Sequence, residues 1–118
     1  MKLALMQAQK NLGNTKENPS VGCVITNNNN LISAGCTSKN GRPHAEQNAI
    51  NYSKYNLKNS SLYVTLEPCS HYGKTGPCVN SIIKNKIKRV FFSIKDPDIR
   101  SYNKSKRIFK KHNIEVED

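Results

Sequence analysis

The sequence predicts an α/β fold, a three-layer αβα sandwich with a five-stranded mixed sheet between its helices. Three observations lead there. Short apolar runs of strand length alternate with stretches of helical period. Breaks built on Gly, Pro and Asn separate them. The 118 residues have the size of one domain, able to bury about two-thirds of its unfolded surface.

Along the chain, Met1, Leu5, Ala8 and Leu12 share one helical face, and Gly13 can end that helix. A polar loop from Asn14 to Pro19 follows. Val21 to Thr26 reads as a buried strand, Asn27 to Asn30 as a turn, and Leu31 to Gly35 as the return strand of a hairpin. Gly41-Arg42-Pro43 breaks the chain, and a helix is expected from His44 to Lys54. Ser61 to Leu66 is the third strand. Pro77 then opens a helix to Asn85, Pro being favoured in a first turn. Ile87 to Ile94 is the fourth strand. Ser101 to His112 reads as a basic helix with Tyr102, Ser105 and Phe109 inward, and Ile114 to Val116 as a short last strand.

Composition narrows the class. No apolar run is long enough to span a bilayer, and polar Gln7 interrupts the N-terminal apolar stretch too early for a signal peptide. A cytoplasmic protein is expected, in which four Cys are better read as ligands or buried thiols than as disulfides. The formal charge of +11 is a footprint that nucleic-acid binders share. It is read here as lysine-rich solvated surface, because no aromatic residues interleave with the basic ones as a stacking platform requires. The charge can still steer an anionic metabolite.

The chemistry concentrates in His44-Ala45-Glu46, Pro68-Cys69 and Cys78. One His and two Cys are good zinc ligands, and three protein ligands leave the fourth position open, as catalytic sites do. Two residues apart on a helix face differently, so Glu46 can reach a water while His44 reaches the metal. This order of residues is a known signature of zinc deaminases. Cys78, at a helix N-terminus, is placed to favour the thiolate a metal requires. Cys23 and Cys36 fall in or beside strands and are read as structural.

The stretch Thr65-Leu66-Glu67-Pro68-Cys69-Ser70-His71-Tyr72-Gly73-Lys74-Thr75-Gly76-Pro77-Cys78 closely resembles the deaminase domain of the bacterial riboflavin-biosynthesis deaminase/reductase. Nucleoside and tRNA deaminases usually carry a two-residue spacer between the Cys ligands; here eight residues intervene. Asn18-Pro19-Ser20-Val21-Gly22-Cys23-Val24 and Asp96-Pro97 also match family motifs, and the resemblance spans nearly the whole chain. It implies a cytidine-deaminase-like fold. It also implies one Zn²⁺ on His44, Cys69 and Cys78, with Glu46 carrying protons. Asn18, His71 and Lys74 are implied as substrate contacts. The implied reaction is hydrolytic deamination of a diamino-pyrimidinone bearing a phosphoribosylamino group, giving the uracil.

Residues 1–118 are accordingly read as a single zinc-dependent deaminase domain without the family's reductase domain, so a separate reductase chain is expected to act next. A homo-oligomer is expected from the family, a membrane or nucleic-acid partner is not. The sequence departs from the family where a second His would be (Thr37), where a His often follows the Glu (Asn48), and at Asp98 and the loop after it. These departures are expected where ribose and phosphate bind. Two other readings remain: a nucleoside or tRNA-base deaminase of the same fold, and a zinc-stabilised interaction module without turnover.

Overall fold

The computed structural model describes residues 1–71, 76–97 and 103–117. Among them run α1 (Lys2–Ala8), β1 (Gly22–Asn27), β2 (Asn30–Cys36), α2 (Ala45–Tyr52), β3 (Ser61–Leu66), α3 (Cys78–Lys84), β4 (Arg89–Ile94), α4 (Lys104–Lys111) and β5 (Glu115–Glu117). A short 3₁₀ turn at Lys39–Gly41 lies between β2 and α2. The expected alternation is therefore present, with boundaries that differ by a few residues.

The five strands form one sheet in the order β2-β1-β3-β4-β5. β1 is antiparallel to both β2 and β3, and β3, β4 and β5 are parallel. The hairpin closes as Asn27 pairs with Asn30 around Asn28 and Asn29, both at positive φ. That is the backbone a two-residue hairpin turn demands, and Asn tolerates it well.

Period-2 alternation separates the faces. Cys23, Ile25, Leu62, Val64, Val90 and Phe92 point one way, as their register shows, and pack with Val79, Ile82 and Phe109 of α3 and α4 in the main core. Gly35, opposite Cys23, lets α2 sit on this face: a Cβ there would lie 2.6 Å from the Ala49 nitrogen. Gly22 faces the other way, and a Cβ on it would meet the Ala4 carbonyl oxygen at 1.7 Å. So α1 covers the second face and α2 to α4 cover the first. The three layers are unequal, since α1 is seven residues long. Beyond it Tyr63 and Phe91 stack on the second face, centroids 4.6 Å apart.

That close approach corrects the expected inward face of α1. Ala4 is fully buried, whereas Leu5 and Leu12 are 50% and 69% exposed. A helix whose backbone touches a strand has room beneath it only for small side chains. The helix also stops at Ala8, five residues before Gly13. Pro77 likewise proves to be the residue before α3, and His44 the residue before α2. Ser105 and Phe109 point inward as expected; Tyr102 lies outside the described residues. No described helix is long and apolar enough to cross a membrane.

Candidate active site

The topology brings four chain ends to one edge of the sheet. Because β1 is antiparallel to its neighbours, its start lies beside the ends of β2 and β3, and β4 ends there too. The carboxyl ends of parallel strands are the usual place for ligands in open α/β sheets. The chain leaving β2 reaches His44 and enters α2 here, and the chain leaving β3 passes Cys69 and reaches Cys78 at the start of α3. Residues 25 to 34 positions apart in sequence thus meet. His44 Nδ1 lies 3.7 Å from Cys69 Sγ and 3.5 Å from Cys78 Sγ. Tetrahedral ligands at about 2.05 Å (N) and 2.3 Å (S) from zinc stand about 3.6 Å apart, so this donor set fits the ion. Among the described residues no other His, Cys, Asp or Glu cluster is this compact.

The electrostatics suit a cation. A hydrogen bond from the Cys78 thiol, and others from His44 and the Cys78 backbone N–H, hold the Cys69 thiol down to about 4 against burial. That N–H donates to Cys69 Sγ at 3.2 Å. The Cys78 thiol is pushed up by the same shared bond and by burial. The start of α3 therefore supports the thiolate of Cys69 rather than that of Cys78, a reversal of the sequence expectation. His44 is raised, first by its bond to Cys69. Glu46 is buried, and burial followed by the Cys69 charge raises its carboxyl to about 7, although its own backbone N–H and then the His44 charge oppose this. A divalent ion would replace these shared protons with its own charge.

A cavity of about 790 Å³ opens over the cluster, within the range of small-molecule sites. His44, Glu46 and Cys69 line it, as do Asn18 and His71. Lys74 lies outside the described residues. The Asn18 side chain donates to the Gly41 carbonyl at 2.8 Å, and Gly41, at φ +92°, leaves no space for a Cβ there. Two lining residues were not singled out from the sequence: Arg42, whose Nη1 is 3.4 Å from His44 Nε2, and Glu67. Arg42 supplies the one Lys or Arg charge among the described lining residues. Its only sequence signal is its place two residues before His44.

The family model for the cytidine and deoxycytidylate deaminase zinc-binding region matches residues 1–94. The chain belongs to this family of zinc-dependent deaminases. It is 43% identical to a diaminohydroxyphosphoribosylamino-pyrimidine deaminase of Buchnera aphidicola subsp. Schizaphis graminum, covering 86% of this chain and 69% of that one. It is 41% identical to the riboflavin biosynthesis protein RibD of Aquifex aeolicus, covering 99% of this chain but 33% of the relative. The chain thus spans about a third of the length of the RibD proteins it matches. A solved Thermotoga maritima deaminase/5-amino-6-(5-phosphoribosylamino)uracil reductase superposes with a TM-score of 0.90 at 40% identity, covering 98% of this chain and 34% of that one.

Within this deaminase family, Thr37 and Asn48 have structural work here. Thr37 is 1% exposed, and its hydroxyl accepts from the Val21 N–H at 2.9 Å and donates to the Pro19 carbonyl at 3.2 Å. Asn48 donates to the Cys36 carbonyl and Ser38 Oγ, both at 2.8 Å, tying α2 to the loop before it. Neither is among the residues that line the cavity, though Thr37 holds Pro19 and Val21, which are. Asp98 and the loop after it lie outside the described residues. Cys23 is buried in the core and Cys36 stands apart from the His-Cys-Cys cluster, in keeping with structural thiols.

Proposed function

We propose that His44, Cys69 and Cys78 hold Zn²⁺, and that Glu46 is the general acid–base of a hydrolytic deaminase acting on a phosphorylated diamino-pyrimidinone. The observation that carries this is the cluster itself: one nitrogen and two sulfurs at tetrahedral spacing, with a buried carboxyl beside them at the floor of a cavity. Zinc supplies Lewis acidity that makes water ionise near neutral pH. Glu46 takes one proton of the attacking water and passes it to the ring nitrogen. It then takes the remaining hydroxyl proton of the tetrahedral adduct and delivers it to the departing amine, so that water and substrate give ammonia and the uracil. One group serving as base and then acid suits a carboxyl that lines the cavity beside the three ligands.

The substrate reading rests on the likeness to the Buchnera deaminase over most of both chains. Asn18, His71 and Lys74 are its proposed contacts, with Arg42 as a further cation for the phosphate. The Thermotoga relative joins deaminase and uracil reductase by name, and a reductase is the natural consumer of this product. Assays with the phosphoribosylamino-pyrimidinone, cytidine, deoxycytidylate and tRNA, following ammonia release, test the reading. Turnover is expected on the first. Preference for deoxycytidylate or tRNA would overturn it, and no turnover on any would favour an interaction module.

A further inference from the structure

Ile94, Asp96 and Pro97 form one wall of the cavity, and Glu67 lies beside them. Glu67 is 2% exposed and follows the last residue of β3. A buried carboxylate is costly unless its oxygens are hydrogen-bonded. Here Ser105 Oγ donates to Oε1 at 2.7 Å, while the backbone N–H groups of Asp96 and Asn103 donate to Oε2 at 3.0 and 3.4 Å. The Glu67 N–H donates in turn to the Ile94 carbonyl at 2.7 Å. One residue therefore ties the end of β4 and the start of α4 to the stretch that carries Cys69.

We propose that Glu67 is a positioning residue: its carboxylate sets where the Asp96–Pro97 wall stands relative to the His-Cys-Cys cluster, and so sets substrate fit, without moving a proton itself. The inference rests on the deaminase reading of the cavity. Both carboxylate oxygens already accept from N–H or O–H groups, whereas Glu46 is the carboxyl that lines the cavity with His44 and Cys69. Bonds to a charged acceptor are stronger than neutral ones, and the two oxygens hold three donors from two elements to one point. The wall would then be placed by a group that the sequence hides as an ordinary Glu-Pro-Cys.

The test uses the zinc-loaded protein and the variants Glu67→Ala, Glu67→Gln and Ser105→Ala. Glu67→Ala should keep its zinc and raise KM about tenfold or more, since a small misplacement of a binding wall weighs heavily on fit, with kcat much less affected. Glu67→Gln should recover most of that loss, because its carbonyl can accept from the two N–H groups and its amide can donate to the Ser105 hydroxyl. Ser105→Ala, which loses one donor, should show the same pattern at about threefold, and stands in if Glu67→Ala does not fold. Amide hydrogen exchange gives a readout independent of turnover: exchange at Asp96 and Asn103 should quicken in Glu67→Ala while that of β3 and β4 stays slow. Unchanged exchange and KM would overturn the proposal. So would a collapse of kcat in Glu67→Gln comparable to that of Glu46→Gln, which would make Glu67 a proton carrier. If the wild type ignores the phosphorylated pyrimidinone, the substrate reading falls, and the exchange rates still decide the role of Glu67.

Discussion

Glu46 and Cys69 owe their character to their surroundings. The carboxyl of Glu46 is buried beside a thiolate, so ionising it costs more in the folded chain than in water. Its folded value of about 7 exceeds the ordinary 4.5, so its contribution is full below the ordinary value and is lost as pH rises through 7. In reduced, metal-free protein, Glu46→Gln should therefore melt higher than wild type at pH 8 and close to it near pH 4. Calorimetry across that range checks this, and a constant difference would contradict it. With zinc, the same variant should keep its metal and lose about 10²–10⁴-fold in kcat, as a missing general acid–base does. Cys69→Ala should instead lose the metal, which elemental analysis reads directly.

At the scale of elements, glycine and asparagine explain what apolar periodicity does not. Gly22 lets the backbone of α1 lie on β1, and Gly22→Ala would put a carbon 1.7 Å from the Ala4 oxygen. Overpacking of this kind costs about 1–3 kcal/mol and occasionally more, and a rigid backbone acceptor argues for the upper end. Gly13→Ala makes a control: its φ is +87° but nothing lies within 4 Å, so only the backbone strain of about 1–2 kcal/mol is expected. Urea unfolding of both variants separates collision from strain. The abundant Asn, unremarkable as composition, also has a use. Asn28, Asn29, Asn40, Asn59, Asn103 and Asn113 all occupy positive φ, where Asn costs less than other non-glycine residues. Several of these sit at the turns that join helix to strand.

At the scale of the whole molecule, three lysines gather at one end of the sheet. The parallel strands β3, β4 and β5 start at the end of the sheet away from the cavity, and the chain segments that enter β3 and β4 carry Lys58, Lys84 and Lys86. These three line a shallow second cavity together with Tyr55, which is 70% exposed. So an aromatic residue does stand among the lysines, and the run Tyr52-Ser53-Lys54-Tyr55-Asn56-Leu57-Lys58 corrects the reading that none interleaves with the basic residues. One Tyr is a small platform, and the surface should bind RNA weakly through counterion release. Affinity should fall steeply with salt, and Lys84→Gln should lessen the slope of log K against log salt by about 1. Filter binding between 50 and 200 mM salt measures it. Selective binding that persists at the upper concentration would instead favour the tRNA-deaminase reading.

Sequence by itself determined the class of fold, the order of its elements and the His-Cys-Cys-Glu set, because these depend on local period and on residue types with few other uses in such an order. It placed β1, β2 and β3 to within a residue or so, since alternation along a strand reports directly on the two faces of a sheet. It misplaced the inward face of α1, because which side of a short helix packs depends on how closely a distant strand approaches. It assigned the helix-end effect to Cys78, whereas the backbone N–H of Cys78 serves Cys69. It left Arg42 and Glu67 unmarked, and it did not show that Thr37 and Asn48 hold backbone groups from other parts of the chain. Each of these was decided by tertiary structure for one reason. A side chain's partner across the fold is set by strand order and register, and those join residues that no spacing along the chain relates.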